Sequence, residues 1–367
     1  MMNDLRVGIV GPVPPPAGGM AGQTAQLRAL LEQDGVRVTF VPTNTPYHPA
    51  FVGRLRGVRA VFRLVPYLAR LWRCAGDVDV LHVMANSGWS WHLFAAPAIR
   101  IGRLRKRTVV VNYRGGEAES FLSQAAGVVM PTLARADIVA VPSRFLKDVF
   151  ARHGVEAHVL PNIVDRQRFH PAEPRPDTRR TKLMVARNLE AVYDIGTAIE
   201  AFAIVRRAVP DATLTVAGSG ATRDALVRQA ADAGLAASVR FAGRLDREAV
   251  AALTRESDIV VNPSLVDNMP NSLLEALASG TPVVSTDVGG IRHLVTHERT
   301  ALLVPPANPP AMAAAILRLV DDDALAARLR AQGLSDVEQY TWPNVRERLY
   351  ALYRSPRASR ATAPKAA

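Results

Sequence analysis

One unit recurs along these 367 residues: a short, largely apolar run, a turn carrying glycine, serine or asparagine, then a stretch of helical length. Such runs occupy residues 5–10, 80–83, 108–112, 136–143, 182–186, 213–220, 239–243, 258–262 and 282–290. Strands that are apolar throughout, rather than on alternate residues, are buried on both faces. Alternating with helices, they build an open parallel sheet. Residues 171–181, with prolines and mixed charge, interrupt the rhythm and read as a linker. The pattern therefore predicts two doubly wound α/β domains, whose ligands collect at the carboxyl ends of strands.

Charge divides the same way. Residues 1–160 hold 19 Lys/Arg against 10 Asp/Glu, while the rest, leaving aside the basic end from residue 354, is close to neutral within a total of +12. Two domains with different partners follow from that asymmetry. Residues 54–73 read as a basic amphipathic helix. Leu55, Val58, Phe62, Val65, Ala69 and Trp72 recur at spacings of three and four, with Arg56, Arg59, Arg63, Arg70 and Arg73 one position on. Arginines beside an apolar face suit an anionic membrane surface, and equally a core helix with a solvated flank. A second cluster, Arg100, Arg103, Arg105, Lys106 and Arg107, ends the next apolar segment. Nucleic acid is a poor partner, because aromatics are only 6% and no binding module is present. The single cysteine, Cys74, predicts a reducing compartment. A start that leads straight into a strand predicts a cytoplasmic protein, peripheral at most on the inner face of a membrane.

Within the second half, Asp267-Asn-Met-Pro-Asn-Ser-Leu-Leu-Glu275 lies between an apolar strand and a short helix that Gly280 and Pro282 end. The backbone N–H groups of Asn271, Ser272 and Leu273 fall where a helix leaves donors unpaired, a setting for a diphosphate. A carboxylate one turn further in suits sugar hydroxyls.

This acid-x7-acid element resembles that of the retaining glycosyltransferases of family 4, which have the GT-B fold, although the family usually has Glu at the position of Asp267. Further passages are similar in order and spacing across nearly the whole chain: the Gly18-Gly19 loop, Ala136-Asp-Ile-Val-Ala-Val-Pro-Ser143, Pro161-Asn-Ile-Val-Asp165 and the last helix. The resemblance implies two Rossmann-like domains facing across a cleft, with a C-terminal helix crossing back to the first. Residues 1–165 would bind the acceptor and residues 166–340 the nucleotide sugar. Residues 341–354 would form the crossing helix, and 355–367 a disordered tail. It further implies a hexosyltransferase that needs no metal or cofactor and takes a UDP- or GDP-sugar to a glycan or lipid-linked acceptor.

By the resemblance, Arg187 clamps the donor diphosphate and Glu275 holds the ribose. Asp267, with the backbone of Asn268, Met269 and Pro270, holds the sugar, and Leu245 lies near the base. Gly18 and Gly19 lie under the diphosphate, and the glycine pair Gly218 and Gly220 lines the donor site. Two further positions depart from the family. Tyr193 stands where a second diphosphate-binding cation, a lysine, is usual. Arg114 stands where a histidine near the donor sugar is common; it is suited to a phosphate or an acidic acceptor, or to a salt bridge with Glu117 or Glu119. These departures keep two rivals open, a GT-B nucleotide-sugar epimerase and a non-catalytic binding relative.

Other chemistry fits less well. Asp77-Val-Asp79 spells D-x-D but precedes its strand, so it reads as a strand edge, and Asp321-Asp-Asp323 reads as a helix cap. No zinc spacing, phosphate-binding P-loop or G-x-S-x-G turn is present.

Overall fold

The computed structural model describes residues 4–14, 19–46, 59–173 and 181–355, with no description of the side chain at 59. Gly18, Arg56, the tail after 355 and most of the expected linker lie outside the described residues. The chain forms two compact units, one of residues 1–163 with 345–367 and one of residues 164–344.

The first unit holds six parallel strands: β1 (Arg6–Gly11), β2 (Arg37–Pro42), β3 (Val80–Ala85), β4 (Thr108–Tyr113), β5 (Ile138–Val141) and β6 (His158–Val159). Their spatial order is β2-β1-β3-β4-β5-β6. The second unit repeats the plan with β7 (Lys182–Ala186), β8 (Thr213–Ala217), β9 (Val239–Gly243), β10 (Ile259–Asn262), β11 (Val283–Thr286) and β12 (Leu302–Val304). Here the order is β12-β11-β10-β7-β8-β9. Crossovers diverge between β1 and β3 in one sheet and between β7 and β10 in the other, which is where doubly wound sheets open a crevice.

Burial explains the apolar runs. Every residue of β3, β5, β10 and β11 is buried. Alternate residues serve opposite faces of the second sheet. Leu183, Val185, Ile259 and Val261 join a core with Phe202, whereas Met184 and Val260 join another with Phe169, Leu273 and Leu277. Helices start where side chains cap them: Ser143 accepts from the Leu146 N–H, Asp246 from Ala249, Asn308 from Ala311 and Asp322 from Leu325. Asp322 thus acts as the cap read from sequence. Asp79 binds Arg6 at the start of β3, away from the carboxyl ends.

The final helix, Trp342–Arg354, returns to the first unit, where Tyr350 donates to Asp34 at 2.8 Å and Tyr353 meets the buried His82 at 2.9 Å. The basic helix runs over Arg59–Asp77, four residues past its expected end and through Pro66. It buries Tyr67, Leu71, Cys74 and Ala75 and leaves Val61, Phe62, Val65 and Trp72 exposed. The apolar stripe read from sequence is therefore a second face, and it looks outward. The second basic cluster is structural. Arg107 donates to the Ala75 and Gly76 carbonyls that end this helix, Arg103 pairs with Asp137, Arg100 bonds Thr132, and Arg105 lies over the Trp72 ring.

Candidate functional site in the second unit and a buried polar chain in the first

Arg187 follows β7 and Asp267 follows β10, so both lie at the crevice of the second sheet. The pair forms a salt bridge, each side chain only 11% exposed. Backbone bonds lock the surrounding loops: Leu265 N–H donates to the Val192 carbonyl at 2.9 Å, and Gly290 N–H to that of Asp267 at 2.9 Å. Asp267 also accepts from its neighbour Asn268 N–H at 2.9 Å and from the Ser264 hydroxyl at 3.3 Å. Beneath it, Thr286 donates to the Ser264 carbonyl at 2.6 Å, and Asn262 donates to Ser285 at 3.1 Å. Burial pushes the Asp267 carboxyl up, while Arg187, the Asn268 N–H and Ser264 pull it down.

Tyr193 supplies no charge but has a clear place. The Arg187 guanidinium lies 4.1 Å from its ring centroid. Stacking at that distance holds a guanidinium in orientation and contributes about 0.5–2 kcal/mol. The position that carries a cation in the family thus carries a platform for the remaining one.

The helix beyond the acid loop, Asn271–Ala278, starts at Pro270 with no side-chain cap. One expected donor is already used, because Leu273 N–H bonds the Pro270 carbonyl at 3.2 Å. Pro270 has none to give. Met269 and Leu273 send their side chains into the core, and the helix starts at Asn271 and Ser272. The Ser272 hydroxyl is buried there without a protein partner. Gly280 has φ of 64°, the left-handed stop expected of it.

Glu275, in the second turn, is half-buried. Burial pushes its carboxyl up to about 7, against the opposing pull of Arg247, Arg168 and Arg187. Leu245 packs half-buried on the same core as Met269 and Leu273. Gly19 heads the Gly19–Gln33 helix of the first unit and is exposed.

The glycine pair has a packing role. A Cβ at Gly218 would overlap the Arg187 carbonyl, and one at Gly220 the Leu189 carbonyl. Gly289 and Gly290, missed from sequence, do the same against Asp267 and Asn268, and Gly289 has φ of 51°. Their signal was a glycine pair after Ser285-Thr286, polar residues at the end of an apolar strand.

Arg114 lies in the first unit, after β4. Neither Glu117 nor Glu119 pairs with it; Glu119 binds Arg152 instead. Its Nε donates to Asn112 Oδ1 at 3.1 Å and its Nη1 to Asn162 Oδ1. This fixes the direction of a longer chain. Asn112 has used its oxygen, so its Nδ2 donates to His82 Nε2 at 3.0 Å, and His82 Nδ1 donates to the Tyr353 hydroxyl at 2.9 Å. His82 is consequently neutral; burial and then Arg114 push it down to about 3. Beside Arg114 is a cavity of about 10 Å³, bordered by Gln23, Leu27, Ile163 and Leu349. Burial pulls Arg114 down to about 10, so it is charged at neutral pH. Hydrogen bonds to a charged group return about 1.5–3 kcal/mol each, whereas burying an ion costs several kcal/mol. Two amides alone leave that charge undercompensated.

The two units, each a parallel six-stranded sheet with a crossover crevice, define a class: two-domain doubly wound α/β proteins. The family model described as Glycosyl transferases group 1 matches residues 165–336, and that for Glycosyltransferase Family 4 matches residues 17–168. A glycogen synthase of Mycobacterium tuberculosis is 30% identical over 289 residues, 75% of this chain and 67% of that protein. A phosphatidyl-myo-inositol mannosyltransferase of Mycolicibacterium smegmatis is 27% identical over 379 residues, 95% and 93% of the two chains. Anabaena HepE, solved with UDP and glucose, has the same fold, with a TM-score of 0.75 at 17% identity over 96% of this chain and 100% of that one. The chain belongs to the family 4 glycosyltransferases, with the GT-B fold, and is a transferase enzyme.

Two outcomes follow from this geometry. Gly290→Ala drives a Cβ into the Asn268 carbonyl, so urea melts should show a loss of about 1–3 kcal/mol or more. Glu275 in the native state keeps a proton between pH 4.5 and about 7 that the unfolded chain has released. Stability therefore falls as pH rises through that window. Glu275→Gln should raise the melting temperature at pH 8 and leave it unchanged at pH 4, read by scanning calorimetry.

Proposed function

We propose that this enzyme moves a hexosyl unit from a UDP- or GDP-sugar to a glycan or lipid-linked acceptor, with retention at the anomeric carbon and without a metal. The observation that carries the donor half is the buried Arg187–Asp267 pair beside an uncapped helix start, followed one turn later by Glu275. As the sugar–diphosphate bond breaks, negative charge grows on the leaving diphosphate. Arg187 and the helix start are placed to neutralise it, which lowers the barrier only to the extent that they bind that charge more strongly than the ground state. Asp267 accepts from sugar hydroxyls and Glu275, ionised, from the ribose. Arg187 must then share itself between Asp267 and phosphate, and Tyr193 keeps it oriented as it does so.

The exposed stripe Phe62, Val65 and Trp72, beside the exposed Arg70 and Arg73, supports an acceptor held at an anionic membrane. No described helix is long and apolar enough to cross one. The smegmatis relative, named for a phosphatidyl-myo-inositol acceptor, supports the same reading.

The direct test is a panel of UDP-, GDP- and ADP-sugars read by thermal shift, then by slow nucleotide release. One sugar nucleotide should stabilise the fold and release nucleotide diphosphate; binding without release, even with membrane extract, would overturn catalysis. With that donor, Arg187→Ala should cost at least about 2–3 kcal/mol in kcat/KM, and a value within about threefold of wild type would remove the role. Phe62→Ser with Arg70→Glu and Arg73→Glu should abolish sedimentation with anionic phospholipid vesicles while leaving the thermal shift by donor intact. Unchanged sedimentation would rule out this surface.

A further inference from the structure

We propose that Arg114 receives a phosphate ester on the acceptor, so that the first unit selects phosphorylated alcohols. This rests on the transferase reading and names what the acceptor side recognises. Among the described residues both side-chain partners of Arg114 are neutral amide oxygens, on Nε and Nη1, and Nη2 has no protein partner. One of those amides, Asn112, is itself held by the one-way chain through His82 to Tyr353, which fixes the guanidinium on that side. Ser87 and Tyr113 share a hydroxyl contact of 2.7 Å, from which either can turn to donate. Gly115 lies so close to both hydroxyls that a Cβ there would clash. The Ala118–Leu133 helix then begins without a side-chain cap bond. A fixed cation whose Nη2 has no protein partner, with no carboxylate paired to it, matches an anion with several acceptor oxygens.

The test uses the full chain and a matched pair of soluble alcohols, inositol phosphate and inositol, with vesicles of phosphatidylinositol as the lipid form. Wild type should bind inositol phosphate at least about tenfold more tightly than inositol. Arg114→Gln should lose that preference yet keep the thermal shift given by the sugar nucleotide, and Arg114→Lys should keep part of it. Displacement of vesicles by inositol phosphate would assign a lipid headgroup, and binding of the soluble form alone a free phosphate ester; both support the site. No phosphate preference in wild type overturns the proposal without needing any variant to fold. A variant that keeps the preference but loses the donor shift also overturns it, by moving Arg114 to the donor. Failure of the transferase reading is seen separately, as absence of any donor shift in wild type.

Discussion

The second unit depends on backbone approach at the carboxyl ends of its strands. Loops after β7, β8, β10 and β11 meet with carbonyl oxygens where Cβ atoms would otherwise stand, at Gly218, Gly220, Gly289 and Gly290. Only because those loops close does Arg187 come within reach of Asp267, and only then does the helix start at Asn271 lie beside them. The glycines therefore act before any ligand does: they set distances on which the charge chemistry depends. Their conformational cost on folding is accepted where no other residue fits.

Charge is handled in opposite ways in the two units. In the second, a cation and a carboxylate are buried together, so the crevice is internally compensated, and on the proposed reading a diphosphate competes with Asp267 for Arg187. In the first, Arg114 is enclosed with amides only, and nothing among its partners must be displaced for an anion to enter. A compensated cation favours a ligand whose charge grows during reaction; an uncompensated one favours a ligand already charged when it binds.

Much of this was legible in sequence, for definite reasons. Apolar runs such as 80–83 and 258–262 announce strands buried on both faces, and Asp267 to Glu275 gives the loop-to-helix spacing directly. The helix end at Gly280 and the cap at Asp322 are local signals. What was not legible depends on residues far apart in sequence. Gly289 and Gly290 matter because Asp267 and Asn268 lie over them, and the use of Leu273 N–H by Pro270 is a matter of how tightly the first turn winds. β12 was overlooked, a three-residue edge strand with too little length for periodicity. The exposed stripe on Arg59–Asp77 stayed open between a membrane face and a core face because spacing alone cannot say which of two apolar faces turns inward.

The departures at Tyr193 and Arg114 then gain a common explanation. Losing a lysine at Tyr193 removes one positive charge from the donor crevice, and the ring restores only the orientation of the charge that remains. Arg114 places a charge in the first unit, held through Asn112 by a histidine that burial first, and the arginine second, keeps neutral. His82 cannot take a proton without turning a second N–H toward the Asn112 amide, so Arg114, Asn112, His82 and Tyr353 stand as one unit linking the sheet to the returning helix. The departures are thus not two independent losses of a motif. On the proposed reading, one cation rather than two serves the diphosphate while another is fixed in the first unit, the distribution expected when much of the binding energy comes from the acceptor's own anionic group.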